Sequence, residues 1–222
     1  MRSLIELLIV DDQDLIRDGL RAIFEVGSDI GVIGEASDGE QAVALSARLS
    51  PHVVLMDLRM PVMDGIAATS QIVRQEPPPY VLVLTTYDGD DNVLAAVQAG
   101  ASGYLLKDAP RDRIVEAVQR VAQGEAQLAP QLTQRLVDRM RATPTAARAA
   151  SLPPLSPREL DVLQAVARGR TNAEIADQLY LSVTTVKSYA SSLFTKLGVN
   201  DRVQATVLAY ESGLITPHRP DL

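Results

Sequence analysis

Five short apolar runs, each followed by a helical pattern, constrain the fold of the first 125 residues more than any other feature of the sequence. The runs predict β-strands over residues 5–10, 30–34, 53–56, 81–84 and 103–106. Apolar residues spaced three and four apart predict helices over residues 14–24, 38–49, 64–74, 90–99 and 111–123. Strands that are apolar throughout are typical of parallel sheets buried on both faces. The alternation therefore predicts an α/β domain over residues 1–125, built on a doubly wound five-stranded parallel sheet.

The back part of the chain has a different pattern, which is wholly helical from residue 156. Capping-box patterns begin at Ser156 and Thr171, and Ser182 precedes a helical pattern over 183–197 that ends at Gly198. A fourth helix is predicted over 201–212. We therefore expect a small all-α domain over residues 156–214. Residues 126–155, rich in alanine, proline, threonine and arginine, predict a partly helical linker, and residues 215–222 predict a tail.

Composition narrows the possible chemistry, because a chain without cysteine has no disulfides, thiol catalysis or cysteine-bound zinc. There is no membrane-length apolar run and no signal-peptide pattern, so we expect a cytoplasmic protein without a membrane partner. The net charge of −7 is uneven: residues 1–125 carry 10 basic and 20 acidic residues, whereas residues 151–222 carry 7 of each. An acidic front and a neutral back indicate two domains with different partners.

Three acids, a hydroxyl and an amine fall at the ends of predicted strands. Asp11 and Asp12 follow the first strand, Asp57 follows the third, Thr85 the fourth and Lys107 the fifth. In open α/β sheets, ligands bind beyond the carboxyl ends of the strands. Close carboxylates repel one another, and a magnesium ion with oxygen ligands relieves this repulsion. An acyl phosphate on Asp57 suits such a site, although an Asp-Asp pair at a strand end is also common as a helix cap.

These segments resemble the receiver domain of bacterial two-component response regulators, through LLIVDDQ, VVLMDLRMPVMDG, VLVLTTYD and GYLLKD. The resemblance implies a flavodoxin-like fold, a cognate histidine kinase and Mg²⁺. It also implies that Asp57 is the phosphoacceptor, that Asp12, Asp57 and the backbone carbonyl of Arg59 hold Mg²⁺, and that Asp11 acts through bound water. By the same resemblance, Lys107 contacts the phosphoryl group. Thr85 is implied to be the switch hydroxyl, and Tyr104 the aromatic residue that turns inward when Thr85 moves.

Two large residues depart from the small ones that are common near such a phosphoacceptor. Arg59 lies two positions after Asp57, and Tyr87 lies two positions after Thr85. Both are large enough to impede an attacking water, so we expect slow self-dephosphorylation. Arg59 also argues against an aspartyl-phosphate phosphatase of the haloacid dehalogenase type, which typically needs an acid at that position.

The predicted helix over 183–197 has one apolar and one polar face. The apolar stripe consists of Val186, Ala190, Leu193, Phe194 and Leu197, and the polar face carries Thr184, Lys187, Ser188, Ser191 and Thr195. Residues 182–200 contain two lysines and no acid, which suits contacts with phosphates and base edges. The neutral charge of this domain is a mild argument against DNA binding, because nonspecific affinity rests on neutralising phosphates.

The segment LSPRELDVLQAVARGRTNAEIADQLYLSVTTVKSYASSLFTKLGVNDR resembles the LuxR-type helix-turn-helix, and the two halves together resemble the NarL/FixJ family. The resemblance implies a scaffold helix over 173–179 and a recognition helix over 183–197. By position, Lys187, Ser188 and Ser191 face double-stranded DNA, with Thr184 on the same face. Arg168, Arg170 and Arg202 are expected to add backbone contacts, and Tyr189, where histidine is common, has no assigned role.

The expected function is a transcription regulator whose DNA binding is switched by phosphorylation of Asp57. We expect a homodimer on a roughly palindromic site. The helix over 201–212 is either the dimer face or part of the core. A DNA-binding regulator that ignores phosphate is the alternative function.

Overall fold

The computed structural model describes residues 4–25, 29–86, 90–125 and 152–215, without the side chains of Asp90 and Asp91. The chain divides into two compact units, Met1–Ala126 and Gln127–Leu222. Residues 126–151 of the predicted linker and 216–222 of the predicted tail lie outside the described residues, and so does Tyr87. The domain boundaries set at residues 125, 155 and 214 therefore stay a prediction.

The first unit is a parallel sheet with helices on both faces. Its elements are β1 (Ile5–Val10), α1 (Asp14–Glu25), β2 (Ile30–Ala36), α2 (Gly39–Leu49), β3 (Val53–Met56), α3 (Gly65–Ile72), β4 (Tyr80–Thr85), α4 (Asp90–Gln98), β5 (Gly103–Leu106) and α5 (Arg111–Val121). The strand order is β2-β1-β3-β4-β5, with every pairing parallel. The predicted fold class is confirmed, including the five alternating pairs of strand and helix.

Register brings the carboxyl ends of the central strands level with one another. Val10 at the end of β1 pairs with Met56 at the end of β3, and Thr85 at the end of β4 pairs with Leu106 at the end of β5. All four residues of β3 are buried. Since β3 lies between β1 and β4, the residue that follows it emerges at the middle of this rim.

Several predicted element boundaries were wrong by one or two residues, among them the end of α5, which lies at Val121 and not at residue 123. Strand β2 continues to Ala36, and β4 includes both Tyr80 and Thr85. Helix α3 ends at Ile72, not at residue 74, because the Arg74 N–H bonds the Gln71 carbonyl three residues back, in a turn. The prolines from residue 77 onward disfavour further helix.

The loop between β3 and α3 is pinned against the backbone of Asp57. The Gly65 N–H donates to the Leu58 carbonyl at 3.0 Å, and Asp64 caps α3 by accepting from the Ala67 N–H. A Cβ at position 65 would lie 2.0 Å from the Asp57 carbonyl oxygen. Glycine is therefore required by close approach of two backbone segments.

Over residues 152–215, the part of the second unit that the structure describes, four helices pack around one apolar core. They are α6 (Pro157–Ala167), α7 (Asn172–Leu179), α8 (Val183–Leu197) and α9 (Arg202–Glu211). Both predicted capping boxes form, at Ser156 and Thr171, and Gly198 ends α8 in the left-handed conformation. The all-helical back domain is thus confirmed. Within the parts of the chain that the structure describes, every helix is too short or too polar to span a bilayer.

Helix α9 contributes to the core with one face and lies near the surface with another. Val203, Ala205 and Ala209 are buried, and Tyr210 packs against the core. Val207 and Leu208 are half-buried. The two alternatives for this helix therefore apply to different residues: Val203 and Tyr210 belong to the core, and Val207 and Leu208 stay available as a dimer face.

Candidate functional site

The three predicted acids meet at the rim of the sheet. Asp11 and Asp57 are buried, with 1% and 4% of their surfaces exposed, whereas Asp12 is exposed. One carboxylate oxygen from each lies within 4.8 Å of the others. Each buried acid is oriented by the backbone: Asp11 accepts from the Gln13 N–H at 3.0 Å, and Asp57 accepts from the Leu58 N–H at 2.8 Å. The pair after β1 is therefore more than a helix cap.

Lys107 joins the two buried acids. Its Nζ lies 2.5 Å from Asp11 Oδ2 and 2.9 Å from Asp57 Oδ2, and its side chain is 7% exposed. The Lys107 N–H donates to the Thr85 carbonyl at 2.8 Å, which continues the pairing of β4 with β5 and places the side chain over the rim. The predicted meeting of residues from β1, β3 and β5 is confirmed in its geometry.

Lys107 is held as a cation. Burial by itself lowers the pKa of its ammonium group, but hydrogen bonds to Asp11 and Asp57, together with their charges, outweigh burial. The pKa therefore lies above the ordinary value of 10.5. At neutral pH this lysine is a fixed positive charge between two carboxylates.

The donor set fits a magnesium ion. Three carboxylates and one ammonium group leave an excess negative charge at the rim, and the ligand atoms are oxygens close enough to share one cation. Hard divalent cations prefer such oxygen ligands. Asp12 is the most exposed of the three and makes the site open to solvent.

The remaining predicted residues of this site have distinct environments. Thr85 is buried at the end of β4, with 1% of its surface exposed, and Arg59 is exposed in the loop after β3. Tyr104 on β5 is 6% exposed. Tyr104 is thus already buried in this structure, whereas the family resemblance implied that it turns inward only when Thr85 moves. Burial of a large aromatic surface favours this position without a further trigger.

Sequence reasoning missed one residue beside the acids. Arg17 on α1 donates from Nη1 to the Asp11 carbonyl at 2.7 Å, and its side chain is 15% exposed. The available signal was weak, because an arginine three residues after Asp14 is typical of an ordinary surface pair on a helix.

Helix α8 presents the predicted polar face to solvent. Val186, Ala190 and Leu193 are buried in the core of the second unit. The four residues predicted to contact DNA are all exposed: Thr184, Lys187, Ser188 and Ser191. Ser182 caps the helix by accepting from the Thr185 N–H at 3.0 Å. Tyr189, which had no assigned role, packs against the core.

Helix α8 is tied to α6 by an ion pair. Lys196 Nζ lies 2.9 Å from Glu159 Oε2, and the same carboxylate accepts from the Ser156 N–H at 2.7 Å as part of the capping box. The Glu159 side chain therefore takes part in the N-terminal cap of α6 and also pairs with the last turn of α8.

The expectation that Arg202 contacts the DNA backbone was wrong. Its surface is 5% exposed, and its guanidinium donates to the Arg170 carbonyl and to Asn172 Oδ1. The side chain joins the start of α9 to the loop before α7. Arg168 and Arg170 are exposed, as a role at the DNA backbone requires.

We predict that the Glu159 carboxyl stays ionised well into acid. The Ser156 N–H and Lys196 lower its pKa from 4.5 to about 2. Because the folded-state pKa is depressed, this group's stabilising contribution is present above pH 4.5 and is lost as the pH falls toward 2. Carbon-13 NMR of the Glu159 carboxyl at pH 4 should show full ionisation.

Lys196→Met serves as the comparison for this titration. It should raise the Glu159 pKa only part of the way, since the Ser156 hydrogen bond is the larger cause. Ordinary titration near pH 4.5 in the unmodified chain would contradict the geometry of the capping box.

Family models of known proteins match both units of the chain. The family model described as "Response regulator receiver domain" matches residues 7–119. The chain belongs to the response regulators of two-component systems. A second model, "Bacterial regulatory proteins, luxR family", matches residues 153–209, which identifies the NarL/FixJ family within them.

Relatives of this response regulator match it over nearly their whole length. The transcriptional regulatory protein LiaR of Bacillus subtilis (strain 168) is 41% identical over 212 residues, which are 96% of this chain and 100% of LiaR. A crystal structure of the response regulator ChrA, from a heme-sensing two-component system, is 38% identical with a TM-score of 0.52, over 96% of this chain and 100% of ChrA. A structure of two RcsB dimers bound to two parallel DNAs is 25% identical with a TM-score of 0.53, over 93% and 98%. This response regulator is thus a DNA-binding regulator with a receiver domain and not a conventional enzyme.

Proposed function

We propose that a histidine kinase phosphorylates Asp57 and that this modification switches sequence-specific DNA binding and transcription, in the cytoplasm. The observation that carries the proposal is the ammonium group of Lys107, which lies within 3 Å of both Asp11 and Asp57 in a triad of acids. A buried carboxylate beside a fixed cation is arranged to accept a phosphoryl group and to hold it.

The transfer step uses groups that are already in place. A carboxylate oxygen of Asp57 forms the bond to phosphorus, and the bond from phosphorus to the kinase histidine nitrogen breaks, with its electron pair staying on that nitrogen. The Leu58 N–H fixes the orientation of the carboxylate before reaction. Lys107 offsets charge on the transferring oxygens. Asp12, Asp57 and the Arg59 carbonyl would hold Mg²⁺, with Asp11 acting through water, and the ion would supply further positive charge there when bound.

The proposed switch shifts an existing equilibrium. The Thr85 hydroxyl responds to the phosphoryl group, and Tyr104 supports the phosphorylated arrangement from its buried position. Self-dephosphorylation is slow, because Arg59 is large and lies two positions after Asp57. Persistence of the phosphoryl group gives the DNA-binding unit time to respond.

The second unit docks α8 in the major groove. Lys187, Ser188, Ser191 and Thr184 share its exposed face and are proposed to contact base edges and phosphates. Val207 and Leu208 on α9 are proposed as the dimer face, giving a two-fold complex on a palindromic operator. The RcsB complex, which contains dimers on DNA, supports this arrangement.

Intact mass spectrometry after incubation with acetyl phosphate and Mg²⁺ tests the proposal. One phosphoryl adduct is expected on the unmodified chain and none on Asp57→Asn. Asp64→Asn is the matched control, because asparagine keeps the cap of α3 and should leave the adduct intact. Light scattering and binding to operator DNA selected from a random pool, on the same samples, should show dimers and tighter binding with phosphorylation.

Each outcome separates the proposal from its alternative. An adduct that persists in Asp57→Asn would contradict the assignment of the phosphoacceptor. Full DNA affinity without any adduct, unchanged by Asp57→Asn, would favour the regulator that ignores phosphate.

A further inference from the structure

Arg17 makes three contacts around the start of α1. Its Nη1 donates to the Asp11 carbonyl at 2.7 Å, its Nη2 pairs with Asp14, and its Nε lies 3.5 Å from Glu35 Oε2 on β2. With 15% of its side chain exposed, it is the least exposed member of these pairs. A guanidinium group can make such contacts at once because its donors are rigidly arranged.

These contacts fix the backbone of Asp11 from both sides. The Asp11 N–H donates to the Ala36 carbonyl at 3.1 Å, and the Asp11 carbonyl accepts from Arg17. Glu35, which pairs with Arg17, directly precedes Ala36 on β2. One short stretch of β2 therefore holds Asp11 directly through its backbone and again through Arg17.

The orientation of the Asp11 carboxylate depends on this backbone. Its Oδ1 accepts from the Gln13 N–H, and its Oδ2 pairs with Lys107. The positions of both oxygens therefore depend on the backbone conformation of residues 11–13. Asp12 is the next residue and shares the same loop. A shift of the loop would move two of the three acids relative to Asp57.

We propose that Arg17 is a positioning residue, which holds Asp11 and Asp12 in the arrangement that binds Mg²⁺. The inference rests on the proposed function of the site. Replacing a residue that hydrogen-bonds and orients a metal ligand typically lowers the metal affinity by about 10- to 100-fold. Arg17 acts on the acids through the backbone, because its hydrogen bonds and ion pairs go to Asp11, Asp14 and Glu35 and not to Asp57.

Arg21 provides a matched control one turn further along α1. It pairs with Glu35 at 2.8 Å and with Asp18 at 2.9 Å, and both of its contacts are to carboxylates of the same two elements. Arg21 makes no hydrogen bond to Asp11 among the described residues. Replacing either arginine by methionine removes the same charge, one pairing with Glu35 and one pairing with an acid on α1. Arg17 differs in its bond to the Asp11 backbone and in its lower exposure, 15% against 42% for Arg21.

Isothermal titration calorimetry with Mg²⁺ alone tests the inference on the full chain. We expect the dissociation constant to rise about tenfold in Arg17→Met. It should change less than twofold in Arg21→Met. Arg17→Lys keeps the charge without the forked geometry and should give an intermediate loss of about threefold. Thermal unfolding in EDTA, measured in parallel, reports stability separately from Mg²⁺ affinity.

The outcomes distinguish positioning from simple support of the fold. Equal affinities for Arg17→Met and Arg21→Met would overturn the inference, as would a lower melting temperature with unchanged Mg²⁺ affinity. Should Arg17→Met fail to fold, unchanged affinity in Arg17→Lys would overturn it in the same way. No Mg²⁺ binding by the unmodified chain would instead refute the proposed metal site itself, and with it this role for Arg17.

Discussion

Gly65→Ala is expected to destabilise the receiver domain by about 3 kcal/mol or more. The new Cβ would lie 2.0 Å from the Asp57 carbonyl oxygen and 2.9 Å from Leu58 Cα. Both are backbone atoms, fixed by the pairing of β3 and by the bond from the Gly65 N–H to the Leu58 carbonyl. Relief therefore requires moving the phosphoacceptor loop. Urea unfolding followed by circular dichroism should show a lower midpoint.

Gly19→Ala is the control for this substitution. Position 19 lies within α1, and a Cβ there would meet no atom within 4 Å. The same change should therefore stabilise the chain by about 0.5–1 kcal/mol, since glycine is unfavourable inside a helix. Opposite signs at the two positions would support close approach as the cause. Equal effects would contradict it.

Lys107→Met is expected to slow phosphorylation of Asp57 by acetyl phosphate about 100-fold, as loss of one preorganised charge stabiliser typically does. The methionine fills similar space but removes the cation between Asp11 and Asp57. The time course of the phosphoryl adduct by mass spectrometry measures the rate. Lys187→Met, on α8, makes the same chemical change elsewhere and should leave the rate unchanged.

The same variant should lose stability at neutral pH, because two buried carboxylates lose their shared partner. Breaking a buried ion pair typically costs about 3–5 kcal/mol, and Mg²⁺ should restore part of it here. In the unmodified chain the pKa of Lys107 is raised, so its contribution is complete below pH 10.5 and is lost only as the pH rises past the folded-state value. Equal free energies of unfolding for Lys107→Met and the unmodified chain, both measured in EDTA, would contradict this account.

The rim of the receiver sheet was predictable because parallel strands impose it. Once Asp11, Asp57 and Lys107 are assigned to strand ends, the topology of the sheet brings them together whatever the loops do. The helix starts were predictable for a similar local reason, since Ser156 and Thr171 carry complete capping patterns. In both cases a few neighbouring residues determine the result.

Residues whose role depends on a distant partner were not predictable in this way. Arg17 and Arg202 look alike in sequence, as basic residues near a functional segment, yet each bonds a backbone carbonyl. For Arg202 that carbonyl lies 32 positions away, in the loop before α7. The burial of Tyr104, which is 6% exposed, likewise arises only in the folded domain. Pattern and spacing carry no information about such contacts.

The ion pair between Glu159 and Lys196 affects how DNA binding should depend on salt concentration. A protein releases about 0.9 counterion from duplex DNA for each phosphate that a basic side chain neutralises. Of the two lysines between residues 182 and 200, Lys196 pairs with Glu159, and Lys187 lies on the exposed face that is proposed to contact DNA. In a dimer docked as proposed, the recognition helices would then release only about two counterions. The recognition helices would then add little to the salt dependence of binding, which would come mainly from backbone contacts such as those expected of Arg168 and Arg170.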